Sequence, residues 1–140
     1  KRLAVEHTSW KNWRDRYPDT LVLSNKTGYH RNYLNSPYPN YSKSSALYFP
    51  VSHTDKRYHP KEVVVGVEIN GKFKAYPFLE LAKGQGVLED TFQGTKLKIE
   101  YNAEARSARV TNKDKVLLPS VTAFWFAWIA FHPESSVYND

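Results

Sequence analysis

Val63-Val-Val-Gly-Val-Glu-Ile69, then Asn70-Gly71, then Lys72-Phe-Lys-Ala-Tyr76 is the stretch that decides the fold. Two β-forming runs flank an Asn-Gly pair, which supplies the two positive-φ residues of a type I′ turn. The stretch therefore predicts an antiparallel hairpin. A two-residue loop fixes its register and sets Gly66 opposite Ala75, two small residues that let another element approach closely on that face. Further out, Thr95-Lys-Leu-Lys-Ile-Glu-Tyr101 alternates, with Leu97, Ile99 and Tyr101 inward and Lys96, Lys98 and Glu100 outward. Residues 107–111 and 115–118 read as short antiparallel strands around an Asn112-Lys-Asp114 turn. Residues 77–83 read as a two-turn helix that starts on Pro77 and ends before Gly84. The expected class is α+β: a small, mainly antiparallel sheet with short helices packed against it and a long, ordered, Tyr-rich loop.

A second pattern spans the chain. The opening Leu3-Ala-Val-Glu-His-Thr-Ser-Trp-Lys-Asn-Trp-Arg-Asp-Arg-Tyr-Pro-Asp-Thr-Leu-Val22 returns as Leu118-Pro-Ser-Val-Thr-Ala-Phe-Trp-Phe-Ala-Trp-Ile-Ala-Phe-His-Pro-Glu-Ser-Ser-Val137. At a constant offset of 115, Leu3, Trp10, Trp13, Pro18, Asp19, Thr20 and Val22 meet Leu118, Trp125, Trp128, Pro133, Glu134, Ser135 and Val137. Such gapless matching implies an internal repeat. Both copies read as short helices, the first capped by Thr8 or Ser9 and each stopped by its proline. The first has a polar face (Lys11, Asn12, Arg14, Asp15, Arg16), whereas Phe124, Phe126, Ile129 and Phe131 make the second apolar all round and hence buried, either as a core helix, the favoured reading, or in an oligomer or inter-half interface. Strand-rich sequence precedes only the second copy. The expected organisation is thus a preceding repeat's tail (1–24, helix plus strand), a Tyr/Pro/Asn-rich connector (25–60) and a second repeat (61–140), together forming one compact domain. With Lys1 first and no methionine, the chain is expected to be a piece of a longer protein.

Composition narrows the chemistry. The chain has 140 residues, enough for one domain with a real core. It has no cysteine, which excludes disulfides, thiolate metal sites and a cysteine nucleophile. Its longest apolar run, residues 121–131, is too short to span a bilayer. The net charge of +6 is spread along the chain without a basic stripe, which disfavours nucleic acid as a partner.

Six of the ten tyrosines (29, 33, 38, 41, 48, 58) fall in segment 25–60. A connection that long is uncommon in a compact domain unless it binds something or spans subdomains. Aromatic rings stack on sugar faces and amides bond hydroxyls, so this segment is the candidate binding surface for a glycan or small anionic ligand. Its candidate residues are Tyr29, His30, Arg31, Tyr33, His53, Asp55 and Arg57. Asp55, Lys56, Arg57, Lys61 and Glu62 form the densest charge cluster, which reads either as an anion site on Arg57 or as an ion-pair network fixing the loop to the sheet edge. His30, His53 and His59 lack the short fixed spacings of a metal site. Ser52, His53 and Asp55 are too close in sequence to act as a relay and have no nucleophile elbow. Neither Glu89/Asp90 nor Asp19 and Glu134 form a supported pair for glycoside hydrolysis, and the two acids in the repeat-related turns, Asp19 and Glu134, suit accepting backbone hydrogen bonds. No catalytic residue, metal or cofactor is expected.

Tyr17-Pro-Asp-Thr-Leu-Val-Leu-Ser24, Thr27-Gly-Tyr29, Phe49-Pro-Val-Ser52, Lys61-Glu-Val-Val-Val-Gly-Val-Glu-Ile-Asn-Gly71 and Ala75-Tyr-Pro77 together resemble the bacterial and archaeal Domain of Unknown Function 3179 family. Residues 118–133 resemble its C-terminal signature. The resemblance implies a longer, two-halved and exported protein (periplasmic or extracellular) with a Cys-Pro-x-Cys type motif in its upstream half. With no cysteine here, any redox or metal role of that motif does not carry over. The leading expectation is a non-catalytic C-terminal half-domain that is structural or completes a site located upstream, its partner being the upstream half or a second copy. A glycan- or small-ligand-binding module is the first alternative. The second is a redox or metal-dependent enzyme whose reactive residues lie in the other half.

Overall fold

The computed structural model describes residues 3–30, 32, 33 and 35–139. In chain order its elements are α1 (Trp10–Arg16), β1 (Val63–Ile69), β2 (Lys72–Pro77), α2 (Phe78–Leu81), β3 (Val87–Phe92), β4 (Thr95–Asn102), β5 (Ser107–Asn112), β6 (Ser120–Phe124), α3 (Trp125–Phe131) and β7 (Ser136–Val137). A 3-10 turn at Tyr41–Lys43 lies between α1 and β1.

The hairpin forms as its turn residues require. Asn70 and Gly71 take φ of 51° and 74°, and β1 pairs with β2 so that Gly66 faces Ala75 and Ile69 faces Lys72. One sheet runs β6-β1-β2-β7, and the other β3-β4-β5. All pairs are antiparallel except β2–β7. The fold is a small α+β arrangement in three layers, with the hairpin in the middle. On one face Val64, Ala75 and Val137 meet Trp125, Trp128 and Ile129 of α3. On the other, Val65, Val67 and Tyr76 meet Leu97, Ile99 and Val110 of the second sheet. Burial on both faces explains why β1 is a continuous apolar run, whereas β4, covered on one face, alternates.

The structure corrects several boundaries. Pro77 belongs to β2, opposite Val64, so α2 is a single turn and not two. Residues 115–118 make no strand, only the isolated bridge from Leu117 to Thr111. β3 and β6 were not expected. β3 escapes the apolar alternation rule because its inward positions are Leu88, Asp90 and Phe92, with a carboxylate in the middle.

That carboxylate joins the two sheets. Lys74 Nζ lies 2.7 Å and the Tyr76 hydroxyl 2.8 Å from Asp90 Oδ2, and both donate to it. Burial alone would raise the Asp90 carboxyl, but the bonds from Lys74 and Tyr76 outweigh it and hold the group below its ordinary value. Burial first, and then the Asp90 charge, push the Tyr76 hydroxyl upward. A depressed carboxyl stabilises the fold above its unfolded-state pKa of about 3.9, and this contribution is lost as pH falls through the folded value. A raised phenol acts at the opposite end, with stability declining as pH rises above about 10. We expect Asp90→Asn to flatten the acid limb of the stability–pH curve more than Glu100→Gln, a control at the half-exposed Lys98–Glu100 pair. Equal flattening by the two variants in urea titrations between pH 2 and 5 would reject the joint.

Candidate functional site

Gly66 lacks a side chain, and the Trp128 indole occupies the space one would need. A Cβ on Gly66 would lie 2.1 Å from Trp128 Cη2. Three further contacts hold the ring. Its Nε1 donates to Ser135 Oγ at 2.9 Å, His132 lies 4.4 Å away between centroids, and Phe73 stands edge-on at 6.2 Å while stacking on His132 at 3.9 Å. Beside this seat opens a cleft of about 600 Å³, lined mainly by apolar groups, Leu3, Val5, His7, Phe73 and His132 among its lining residues.

α1 has the same local build. Ser9 before α1 has φ/ψ of −72°/151°, and Phe124 before α3 has −74°/149°. After the helices, Tyr17 has −133°/73° and His132 has −136°/63°. Trp13 Nε1 donates to Thr20 Oγ1 at 3.1 Å, seven residues on, as Trp128 does to Ser135. Trp13 lies 4.6 Å from Tyr17, matching Trp128 and His132. The surroundings differ. α3 has no side-chain cap, and its first N–H groups, those of Trp125 and Phe126, donate to the carbonyls of Glu62 and Pro60. α1 is capped by its own Ser9 and buries no residue. Among the described residues, no glycine is packed against Trp13 as Gly66 is against Trp128.

What holds α1 in place is a carboxylate that sequence reasoning missed. Glu6 lies 2.7 Å from Arg16 Nη1 and is also ion-paired with Arg109 of β5, its own side chain nearly buried. Such pairs between residues distant in sequence leave no mark on local pattern.

The residues expected to bind a ligand are dispersed. Tyr29 is 77% exposed and Tyr33 54%, and Tyr33 meets Thr27 Oγ1 at 3.1 Å through its hydroxyl. His30 and His53 are also exposed, and Arg31 lies outside the described residues. Asp55 and Arg57 do come together. The guanidinium grips the carboxylate at 2.8 and 2.9 Å and lies 5.4 Å over the Trp125 ring. Trp125 Nε1 in turn donates to the Asp55 carbonyl at 3.2 Å. Burial would raise the Asp55 carboxyl, and Arg57 more than reverses this, holding it below the ordinary carboxylate value. The pair forms a clasp over a fully buried tryptophan. Among the described residues, no three His, Asp or Glu side chains are grouped to hold a metal ion.

A family model described as "Protein of unknown function (DUF3179)" matches residues 1–135. The chain belongs to this family. Neither a curated protein nor a solved structure matches it. No helix among the described residues is long and apolar enough to cross a membrane.

In this DUF3179 chain much of the Tyr-rich segment is exposed. It is pinned at two places beside α3. Tyr58 stands edge-on to Trp125 at 5.4 Å, and Tyr41 to Phe124 at 6.1 Å. Between them sits Lys61, only 4% exposed. Its Nζ donates to the Ala46 carbonyl at 2.7 Å and lies 4.1 Å from the Tyr41 ring centre and 5.0 Å from that of Phe126. Backbone carbonyls and ring faces thus compensate a buried cation. Lys61→Met keeps the stem and removes the charge. It is expected to cost about 1–3 kcal/mol and to raise protease cleavage within residues 41–48 before any effect on β1. Unchanged cleavage there would show that Lys61 does not pin the segment.

Proposed function

We propose that this chain is the non-catalytic C-terminal half of a longer, exported, duplicated protein. Residues 3–24 close a first copy of a module, residues 61–139 belong to the second copy, and 25–60 connect them. One observation carries the reading: two helices 115 residues apart share cap dihedrals, ring contact and a Trp-to-hydroxyl bond, yet among the described residues only α3 seats its tryptophan against a hairpin glycine. On this reading the chain is a scaffold, and any reactive residues lie in the upstream half. The 600 Å³ cleft supports a site shared between copies, since first-copy residues (Leu3, Val5, His7) and second-copy residues (Phe73, Trp128, His132) line it together.

The test is hydrogen exchange on a longer natural polypeptide that contains this chain. Amides of residues 5–9 and 21–24 are expected to exchange at least tenfold more slowly there than in the 140-residue chain. Equal rates in both would end the half-module reading.

The exposed rings of Tyr29, Tyr33 and Tyr38 favour a second reading, a glycan-binding surface on the connector. Titration with a panel of oligosaccharides, followed by tyrosine-ring NMR shifts, separates the two. Saturable shifts at these rings support it, and their absence across the panel rejects it.

A further inference from the structure

In the second copy, the elements flanking α3 clamp a hairpin. β6 pairs antiparallel with β1, Val121 lying opposite Gly66. β7 pairs in parallel with β2, Val137 lying opposite Ala75, and Tyr138 N donates to the Ala75 carbonyl. The corresponding first-copy segments, 5–9 before α1 and 21–22 after it, form no strand and lack such partners among the described residues. Among the described residues, no backbone hydrogen bond reaches residues 3–8 or 21–24. Their apolar side chains face solvent: Leu3 71%, Val5 70%, Leu21 95%, Val22 69% and Leu23 97%, with Trp10 at 44%. The frame is already set, because Glu6 fixes this segment to Arg109 of β5 and the Trp13–Thr20 bond fixes the indole.

We propose that this frame is a docking site for a β-hairpin of the β1–β2 kind. Its first strand adds antiparallel to residues 5–9, its second adds parallel to 21–22, and a glycine sits beneath Trp13. The proposal rests on the half-module reading and names the element that completes the first copy. Strand addition supplies the missing backbone partners, and the bare glycine supplies the contact distance that a flat indole needs. A second copy of this chain does not fit the role as it stands. Its own hairpin already has β6 on one edge, β7 on the other and Trp128 over Gly66.

The probe is a head-to-tail cyclised peptide carrying residues 62–77, verified as a hairpin by NMR and titrated into the full chain. Saturable binding is expected in the micromolar range, with slowed exchange at residues 5–9 and 21–24. Binding should weaken at least tenfold with a peptide bearing Gly66→Leu, and equally with a Trp13→Ala chain, whose core is intact because Trp13 belongs to neither buried cluster. A folded peptide that fails to bind, that binds the Trp13→Ala chain equally well, or that changes exchange at 125–137 instead would overturn the proposal. If the peptide fails while the longer natural polypeptide still protects 5–9 and 21–24, the half-module reading survives and only the hairpin occupant is lost.

Discussion

Replacing Trp128 with alanine is expected to lower the unfolding free energy by about 3–5 kcal/mol, while the same change at Trp13 costs about 1 kcal/mol or less. The two indoles have matching helices, matching hydrogen bonds and matching ring neighbours, so local interactions should contribute equally. Burial separates them. Trp128 is 4% exposed and rests against a residue with no side chain, so removing it opens a cavity that Gly66 cannot fill. The energy lost is the transfer term plus the cavity term, and the rigid three-layer packing limits collapse into the gap. Trp13 lies on a helix with no buried residue. Urea unfolding of both variants measures the contrast. A loss under about 1 kcal/mol at Trp128 would place its ring outside the core. A loss at Trp13 equal to that at Trp128 would mean that the first seat is already covered, and the open frame around residues 5–9 and 21–22 would not exist.

Local signals in the sequence carry the centre of this fold and little of its edges. Asn70-Gly71 determines its own backbone conformation, and with it the pairing of Gly66 with Ala75, because a two-residue turn leaves no freedom of register. The alternation in β4 follows from single-sided burial. β3 stayed hidden because its inward Asp90 is satisfied by Lys74 and Tyr76, residues 16 and 14 positions away on another strand. β7 is two residues long and pairs in parallel, below what any periodicity resolves. The candidate site behaves in the same way. The two-tryptophan offset is legible, and so is the opposition of two small residues that lets an indole approach. The fact that Trp128 is the group that approaches depends on tertiary packing. The Asp55–Arg57 cluster was open to two readings, and its grip on itself above Trp125 matches the ion-pair geometry. The roles of Glu6 and Lys61 come from contacts that local sequence does not encode.

Gly66→Ala should destabilise the fold by about 3 kcal/mol or more, against the usual expectation for a strand. Alanine forms β-structure at least as well as glycine and reduces the entropy of the unfolded chain, so at an open strand position the change would be neutral or favourable. Gly66 has no positive φ that would require glycine, so conformation does not oppose the substitution. Space does. The added carbon would stand 2.1, 2.2 and 2.6 Å from Cη2, Cζ3 and Cε3 of Trp128, well inside van der Waals contact. A flexible side chain would swing aside at little cost, but this ring is held at Nε1 by Ser135 and boxed in by Phe73 and His132. Relief must come from moving α3 off the sheet, which also weakens the contacts of Trp125 and Ile129 with Val64. The clash is therefore specific to one partner, and a double-mutant cycle isolates it. Gly66→Ala in a Trp128→Leu background should cost at least about 1 kcal/mol less than in the natural chain. If the penalty is the same in both backgrounds, the indole is not what excludes the methyl group, and the close seating of helix on hairpin, from which both the stability and the docking frame are argued, would have to be abandoned.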